Sequence, residues 1–291
     1  ALGQLAVAPE YLVLVGQGSV DYKNALGNGD CLVPSLMVGT PQGLAVSDTR
    51  LADVNADGVA DVAVGRLPVL TTAEVTAFAN KLAAYEAGGA WKDTVTMVAD
   101  NADSAGDYRA LSDAAADLVT SGLTVNKAYM GTMSLANVRT ATQNAFNNGC
   151  GILNYVGHAL VTKWADEGVL TQSDVPLLTG AINPPMVFSM SCHFGSFGFA
   201  GYDGVAERLV AKTDGGAVGV WAASTYAYSA ESRILNEAAF DAIFNGGVER
   251  VGDAILAAQT HYQAVGHLPY TTYIYNLLGD PATLVTQNNI N

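Results

Sequence analysis

The sequence predicts an α/β fold: a mainly parallel sheet with helices on both of its faces. Two observations carry this expectation. Short apolar runs of strand type alternate with helical patterns over almost the whole chain, as right-handed crossover units require. Half of the 291 residues are apolar, enough to bury a substantial core.

Taken in order, "EYLVLVG" (10–16) and "ADVAVGRLPV" (60–69) read as buried strands. The stretch that follows places Val75, Phe78, Ala79, Leu82 and Tyr85 on one helical face. Thr71 and Glu74 have capping-box spacing at its start, and Gly88 can end it. "DTVTMVAD" is the next strand, then a helix carrying Leu111, Ala115 and Leu118, a helix after Ser134, and the strand "GILNYVG". An irregular stretch leads to the strand "MVFSMSC". "GVAERLVAK" and "GAVGVWAAST" form a helix–strand pair, and "SRILNEAAFDAIFNG" and "VERVGDAILAAQTHYQAV" are closing helices. A soft boundary at "AGGAW" (87–91) divides a smaller N-terminal α/β lobe, 1–88, from a main lobe, 89–291.

Charge narrows the function classes. With 27 acidic against 13 basic side chains the net charge is −14, and no basic stripe exists to neutralise phosphates, so nucleic acid is excluded as a partner. The balance suits a cationic substrate or bound calcium, and equally a salt-adapted surface. No apolar run approaches the roughly 20 residues that span a bilayer, so no membrane insertion is expected. The opening "ALGQLAVAPE" lacks a basic n-region, so any export signal would already have been removed. Cys31, Cys150 and Cys192 cannot all pair, and no CxxC spacing suggests zinc.

In parallel sheets chemistry gathers at the carboxyl edge of the strands. Two strands here end in reactive side chains, "GILNYVGH" at His158 and "MVFSMSC" at Cys192. A cysteine nucleophile acts as thiolate, and an imidazole within reach forms it. His193 is adjacent in sequence, but successive strand side chains point to opposite faces. His158 is therefore the expected base, and His193 a loop residue near the mouth. Gly157 and Gly195 permit close backbone approach, and the amides of Cys192 and Ala159 would be the oxyanion donors. The alternative is a buried thiol with histidines that only satisfy carbonyls.

"NYVGHALVTKWADEG" followed by "FSMSCHFGSF" resembles the gingipain-like cysteine peptidases, relatives of caspases and legumains. "VAVGRLPV", "GAVGVWAASTYAYS" and the closing "YNLLGDPATLV" also fit, so the resemblance runs from about residue 10 to 285. It implies a caspase-like three-layer fold, with Cys192 as nucleophile and His158 as general base or acid. Ala159 stands where the family has glycine, so a positive φ there would cost energy. The family's acid that orients the histidine falls nearest Asn101, and Asp100 or Asp103 could serve instead. The resemblance also implies a specificity pocket walled by Trp221, Ser224, Thr225, Tyr226 and Tyr228. Asp107 is the acid that would select arginine or lysine, although an aspartate there is also an ordinary helix N-cap. Ala230 takes the place of the family's tryptophan over the basic side chain.

"DVNADGVAD" spaces Asp53, Asn55, Asp57 and Asp61 as the first nine positions of an EF-hand-type loop, with Gly58 at the turn and the Val59 carbonyl as a further ligand. A structural calcium is expected, with no cofactor for catalysis. Val64 stands where a full loop has its glutamate, and a metal-free polar turn would use the same residue types. Calcium favours an extracellular or cell-surface setting. The sequence thus leads to a secreted or surface bacterial cysteine endopeptidase acting on protein or peptide, after basic residues, through a thioester. Amine capture would make it a transpeptidase. An unproductive caspase-like scaffold, or a thiol–metal site of Cys192, His193 and His158, are the rivals.

Overall fold

The computed structural model describes residues 9–29 and 31–285; residues 1–8, read above for a leader, lie outside them. The chain opens with β1 (Tyr11–Val15), β2 (Leu36–Thr40), β3 (Gly43–Ser47), α1 (Thr49–Ala52), β4 (Ala63–Leu67) and α2 (Thr72–Ala87). Next come β5 (Thr94–Ala99), α3 (Tyr108–Ala116), β6 (Thr124–Tyr129), α4 (Leu135–Asn147) and β7 (Ile152–Val156). Three two-residue strands follow: β8 (Ala159–Leu160), β9 (Lys163–Trp164) and β10 (Leu170–Thr171). The remainder is β11 (Met186–Met190), α5 (Val205–Ala211), β12 (Gly219–Ala223), α6 (Ser229–Phe244), α7 (Val251–Val265), α8 (Thr271–Ile274) and β13 (Tyr275–Gly279).

Eight strands form one sheet in the order β1-β4-β13-β12-β11-β7-β5-β6. Only the β12–β13 pairing is antiparallel. Strands β7, β11 and β12 are buried along their whole length, as strands covered on both faces must be. Met97, Phe188 and Trp221 pack into one core with residues of α3, α6 and α7. Alternate residues of the same strands, Val98, Val187 and Val220, join a second core with α4, α5 and Phe78 of α2. The three layers are those of the caspase-like fold. Strands on either side of residue 88 share the one sheet, because β13 bridges β4 to β12.

The capping box of Thr71 and Glu74 forms as its spacing predicts. Lys81 is buried on the same helix: its ammonium donates to the carbonyls of Leu209 (3.3 Å), Val210 (2.6 Å) and Ala217 (3.1 Å). The ammonium thereby serves carbonyls of the last turn of α5, at Leu209 and Val210, and the Ala217 carbonyl just before β12. Strands β6 and β13 have no counterpart in the sequence reading. "TVNKAY" is a polar edge strand, exposed over much of its length, so it lacks the apolar run that marks a buried one.

Candidate active site

β7 and β11 pair directly and in parallel, with Val156 opposite Met190. Their continuations therefore leave the same edge of the sheet, one into Gly157–His158 and the other into Ser191–Cys192. Gly157 has φ +157°, and a Cβ there would come within 2.4 Å of Asp100 Cβ and 2.7 Å of the Tyr155 hydroxyl. Only glycine lets the chain pass so close to β5. The His158 amide donates to Asp100 Oδ2 (3.1 Å), and the Tyr155 hydroxyl donates to the His158 carbonyl (2.6 Å). Trp164 stacks on Tyr155 at 4.4 Å and donates from its indole to Ser189 of β11 (3.0 Å).

The His158 imidazole meets two oxygens on one nitrogen: Nε2 lies 2.7 Å from Asp103 Oδ2 and 3.0 Å from the Tyr108 hydroxyl. That hydrogen bond holds the Asp103 carboxyl below the ordinary carboxylate range. Burial pushes the Asp100 carboxyl up, against the backbone amides it accepts.

Cys192 lies in the turn beyond β11, where its thiol exchanges contacts of 3.4 Å with both the carbonyl and the amide of Ala227. Burial raises the thiol pKa, with the Ala227 amide acting in the opposite sense. His193 sits in the left-handed region at φ +58°, a conformation a non-glycine residue keeps only where surroundings impose it. Its amide donates to the Thr225 carbonyl (2.9 Å), and its ring meets Tyr226 edge-on at 4.4 Å. Gly195 allows the turn to close, since a Cβ there would lie 2.5 Å from the Ala222 carbonyl oxygen.

Cys192 and His158 line one cleft of about 230 Å³, together with Asp103, Lys163, His193 and Tyr226. The sequence reading brings the two side chains to one rim, and both border this cleft, as does His193. Ala159 takes no positive φ, so replacing the family's glycine carries no strain. The Ala165 amide donates to the His158 carbonyl (2.8 Å). Ala159 and Trp164, register partners, are therefore a non-hydrogen-bonded pair, and the Ala159 amide points away from β9. Among the described residues the Cys192 amide has no backbone acceptor either.

Other expectations need correction. Asn101 does not reach the imidazole; its amide donates to Asp100 Oδ1 (2.8 Å), and Asp103, two residues on in an exposed turn, makes the contact. Asp107 caps α3 by accepting the Arg109 and Ala110 amides and pairs with the Arg109 guanidinium at 3.3 Å; it does not line the cleft. Trp221 is fully buried between Phe188 and Tyr275, because β12 is a central strand. Ser224 is buried and donates to the Val46 carbonyl (2.7 Å), and Thr225 is buried with its carbonyl on His193. Of the expected walls Tyr226 lines the cleft, whereas Tyr228, half exposed, accepts from Gln42 on the β2–β3 hairpin (3.3 Å). Tyr108, Lys163 and Asp166 were not anticipated. Tyr108 could have been suspected only from its place beside a helix start, and the other two lie in an irregular stretch without periodicity.

The 53–61 loop closes on its own amides. Asp53 Oδ1 accepts from Ala56 (2.6 Å) and Asp57 (3.2 Å); its Oδ2 accepts from Gly58 (3.0 Å) and from the Tyr273 hydroxyl. Asp61 accepts from Val54 (2.7 Å) and Asn55 (3.3 Å), Asn55 Oδ1 from Asp57 (3.0 Å), and Asp57 from Val59 (2.9 Å). Among the described residues no three acidic, imidazole or thiol side chains converge as a metal site, in this loop or around Cys192, His193 and His158.

The model of peptidase family C25 matches residues 3–286. The chain belongs to peptidase family C25. That family is one of cysteine peptidases. Among solved structures the C25 chain is similar to "the Arg specific cysteine proteinase gingipain R", at TM-score 0.74 and 21% identity over 95% of this chain and 65% of that one. It is similar also to the complex of Porphyromonas gingivalis RgpB pro- and mature domains, at 0.74 and 20% over 95% and 66%. A structure described only as a protease matches at 0.73 and 18% over 96% and 65%. At these identities the likeness is one of fold, and the C25 chain spans about 65% of the length of the first solved chain. No curated protein matches it, and no helix among the described residues is long and apolar enough to cross a membrane.

Proposed function

We propose that the chain cleaves peptide bonds with Cys192 as nucleophile and His158 as proton carrier. The observation that supports this most is their shared cleft at the carboxyl edge of two hydrogen-bonded parallel strands. With the Nε2 proton directed at Asp103, Nδ1 keeps the lone pair. Because burial keeps the resting thiol protonated, Nδ1 takes the thiol proton as the sulfur attacks the peptide carbonyl. The amides of Cys192 and Ala159 are the donors available to the developing oxyanion. Collapse expels the amine, which takes the proton from Nδ1 and leaves a thioester. Water then attacks the thioester with its proton passing to Nδ1, and breakdown returns that proton to the sulfur. An amine in place of water would give transpeptidation. An iodoacetamide or acyloxymethyl-ketone label at one site per chain, lost in Cys192→Ala and in His158→Ala, supports this reading. Labelling that survives both substitutions rejects it, leaving the scaffold alternative.

Preference for a basic residue before the cleaved bond is part of the proposal. It draws on the net charge of −14 and on the Arg-specific gingipain R of similar fold; Asp107, committed to its helix, lends it nothing. Cleavage of Arg and Lys peptides in preference to Asp and Asn peptides supports it, and equal cleavage of all four rejects it. Calcium at the 53–61 loop and an extracellular or surface setting rest on the ligand spacing alone. A melting midpoint lowered by chelator and restored by calcium supports the ion, and an unmoved midpoint rejects it.

A further inference from the structure

We propose that Tyr108 is a positioning residue that fixes His158 in one ring orientation and one tautomer, leaving Nδ1 as the proton acceptor. This rests on the reading of Cys192 and His158 as the reacting pair. Tyr108 is the first residue of α3 and is 4% exposed. Its ring meets the imidazole edge-on, with centroids 5.3 Å apart at 71°, and its oxygen lies 3.0 Å from Nε2. Asp103 Oδ2 lies 2.7 Å from the same nitrogen.

One ring nitrogen carries at most one proton. An ionised carboxylate can only accept, so the Asp103 contact places that proton on Nε2. The tyrosine oxygen then shares it as a second acceptor, and its own proton stays in place, because burial pushes the phenol pKa up to about 12. A ring flip would break both contacts.

The two oxygens differ in how firmly they are held. The side chains of Asp103 and His158 are 38% and 46% exposed, so this ion pair is partly solvated and screened. Tyr108 belongs to the packed face of α3, and the Asp107 cap fixes where that helix begins. Tyr108 therefore ties the imidazole to the scaffold, while Asp103 supplies charge. When Nδ1 takes up the thiol proton, positive charge on Nε2–H grows and both oxygens favour it.

Tyr108→Phe keeps the buried ring and removes only the oxygen. The expected result is kcat/KM on a peptide substrate roughly tenfold lower, by analogy with the loss of a partner that orients a ligating histidine. The loss falls on kcat, with KM within about twofold of the parent, and the melting temperature is unchanged. An unchanged kcat/KM, or a loss carried by KM alone, overturns the proposal. Imidazole ¹⁵N chemical shifts of His158 give a readout without turnover: Nε2–H in the parent and a share of Nδ1–H in Tyr108→Phe, as the ring loses its fixed orientation, are expected. Nδ1–H in the parent, or an unchanged tautomer in Tyr108→Phe, overturns it. Absence of Cys192-dependent cleavage in the parent would sink the peptidase reading separately, and the shifts would still decide the tyrosine.

Discussion

Asp103 Oδ2 lies 2.7 Å from His158 Nε2, while Asn101, nearer the strand end, donates its backbone N–H to Asp100 Oδ1. The turn that carries Asp103 is closed by its own bonds, the Ala105 amide donating to Asp103 Oδ1 (2.7 Å) and the Asp103 amide to the Gly106 carbonyl (3.0 Å). The carboxylate is thereby presented to the ring by local geometry.

Asp103→Asn is expected to lower kcat/KM about 10- to 100-fold, the usual cost of losing a partner that orients a histidine. Asn101→Ala is expected to stay within about twofold of the parent, an allowance for surface changes of a few tenths of a kcal/mol. Steady-state kinetics on both variants check the assignment; the reverse order of effects would return the role to Asn101.

Burial raises the Cys192 thiol, so at neutral pH little of it is thiolate. The rate of iodoacetamide alkylation should therefore keep climbing through neutral pH, by about tenfold per unit while the thiol remains largely protonated, and level off only above the ordinary thiol range. A plateau already reached below pH 7 would mean a preformed thiolate–imidazolium pair.

Glu207, buried on α5, has its pKa raised by burial from 4.5 to about 8. A carboxyl with a raised folded-state pKa favours the protonated protein. Its contribution is complete below pH 4.5 and is lost as pH rises through about 8. Denaturant melts should show the parent losing stability across that window. Glu207→Gln, whose amide oxygen can still accept from the Gly204 amide (2.7 Å in the parent), should flatten the slope. Equal slopes would show that Glu207 ionises without cost.

Arg66, fully buried, pairs with Asp48 at 2.6 and 2.8 Å, donates to the carbonyls of Gly16 and Val33, and lies over the Phe197 ring at 4.7 Å. It joins β4 to the loop beyond Cys192. Removing one partner strands a buried charge, so Asp48→Asn is expected to cost about 3–5 kcal/mol. A chemical denaturation curve shifted by less than about 1 kcal/mol would place the pair among weak, solvated contacts.

Much of the fold was legible because buried strands and amphipathic helices write their periods directly into the chain. "GILNYVG" and "MVFSMSC" are apolar since both faces of β7 and β11 are covered, and that same burial pairs them and brings His158 and Cys192 to one rim. The walls of the cleft were not legible. Trp221 and Ser224 occupy the sequence positions expected of a pocket but point into packed cores, because that depends on which neighbours cover β12.

The sequence by itself determined the alternating architecture, the thiol and the imidazole at strand ends, and the glycine before the histidine. These follow from local rules of period, burial and backbone freedom. Only the tertiary structure decided that Asp103 and Tyr108, not Asn101, meet the ring, and that Asp107 serves its own helix. The choice among several oxygens a few residues apart depends on turn geometry and on the packing of α3 against the sheet, and no one-dimensional spacing encodes that.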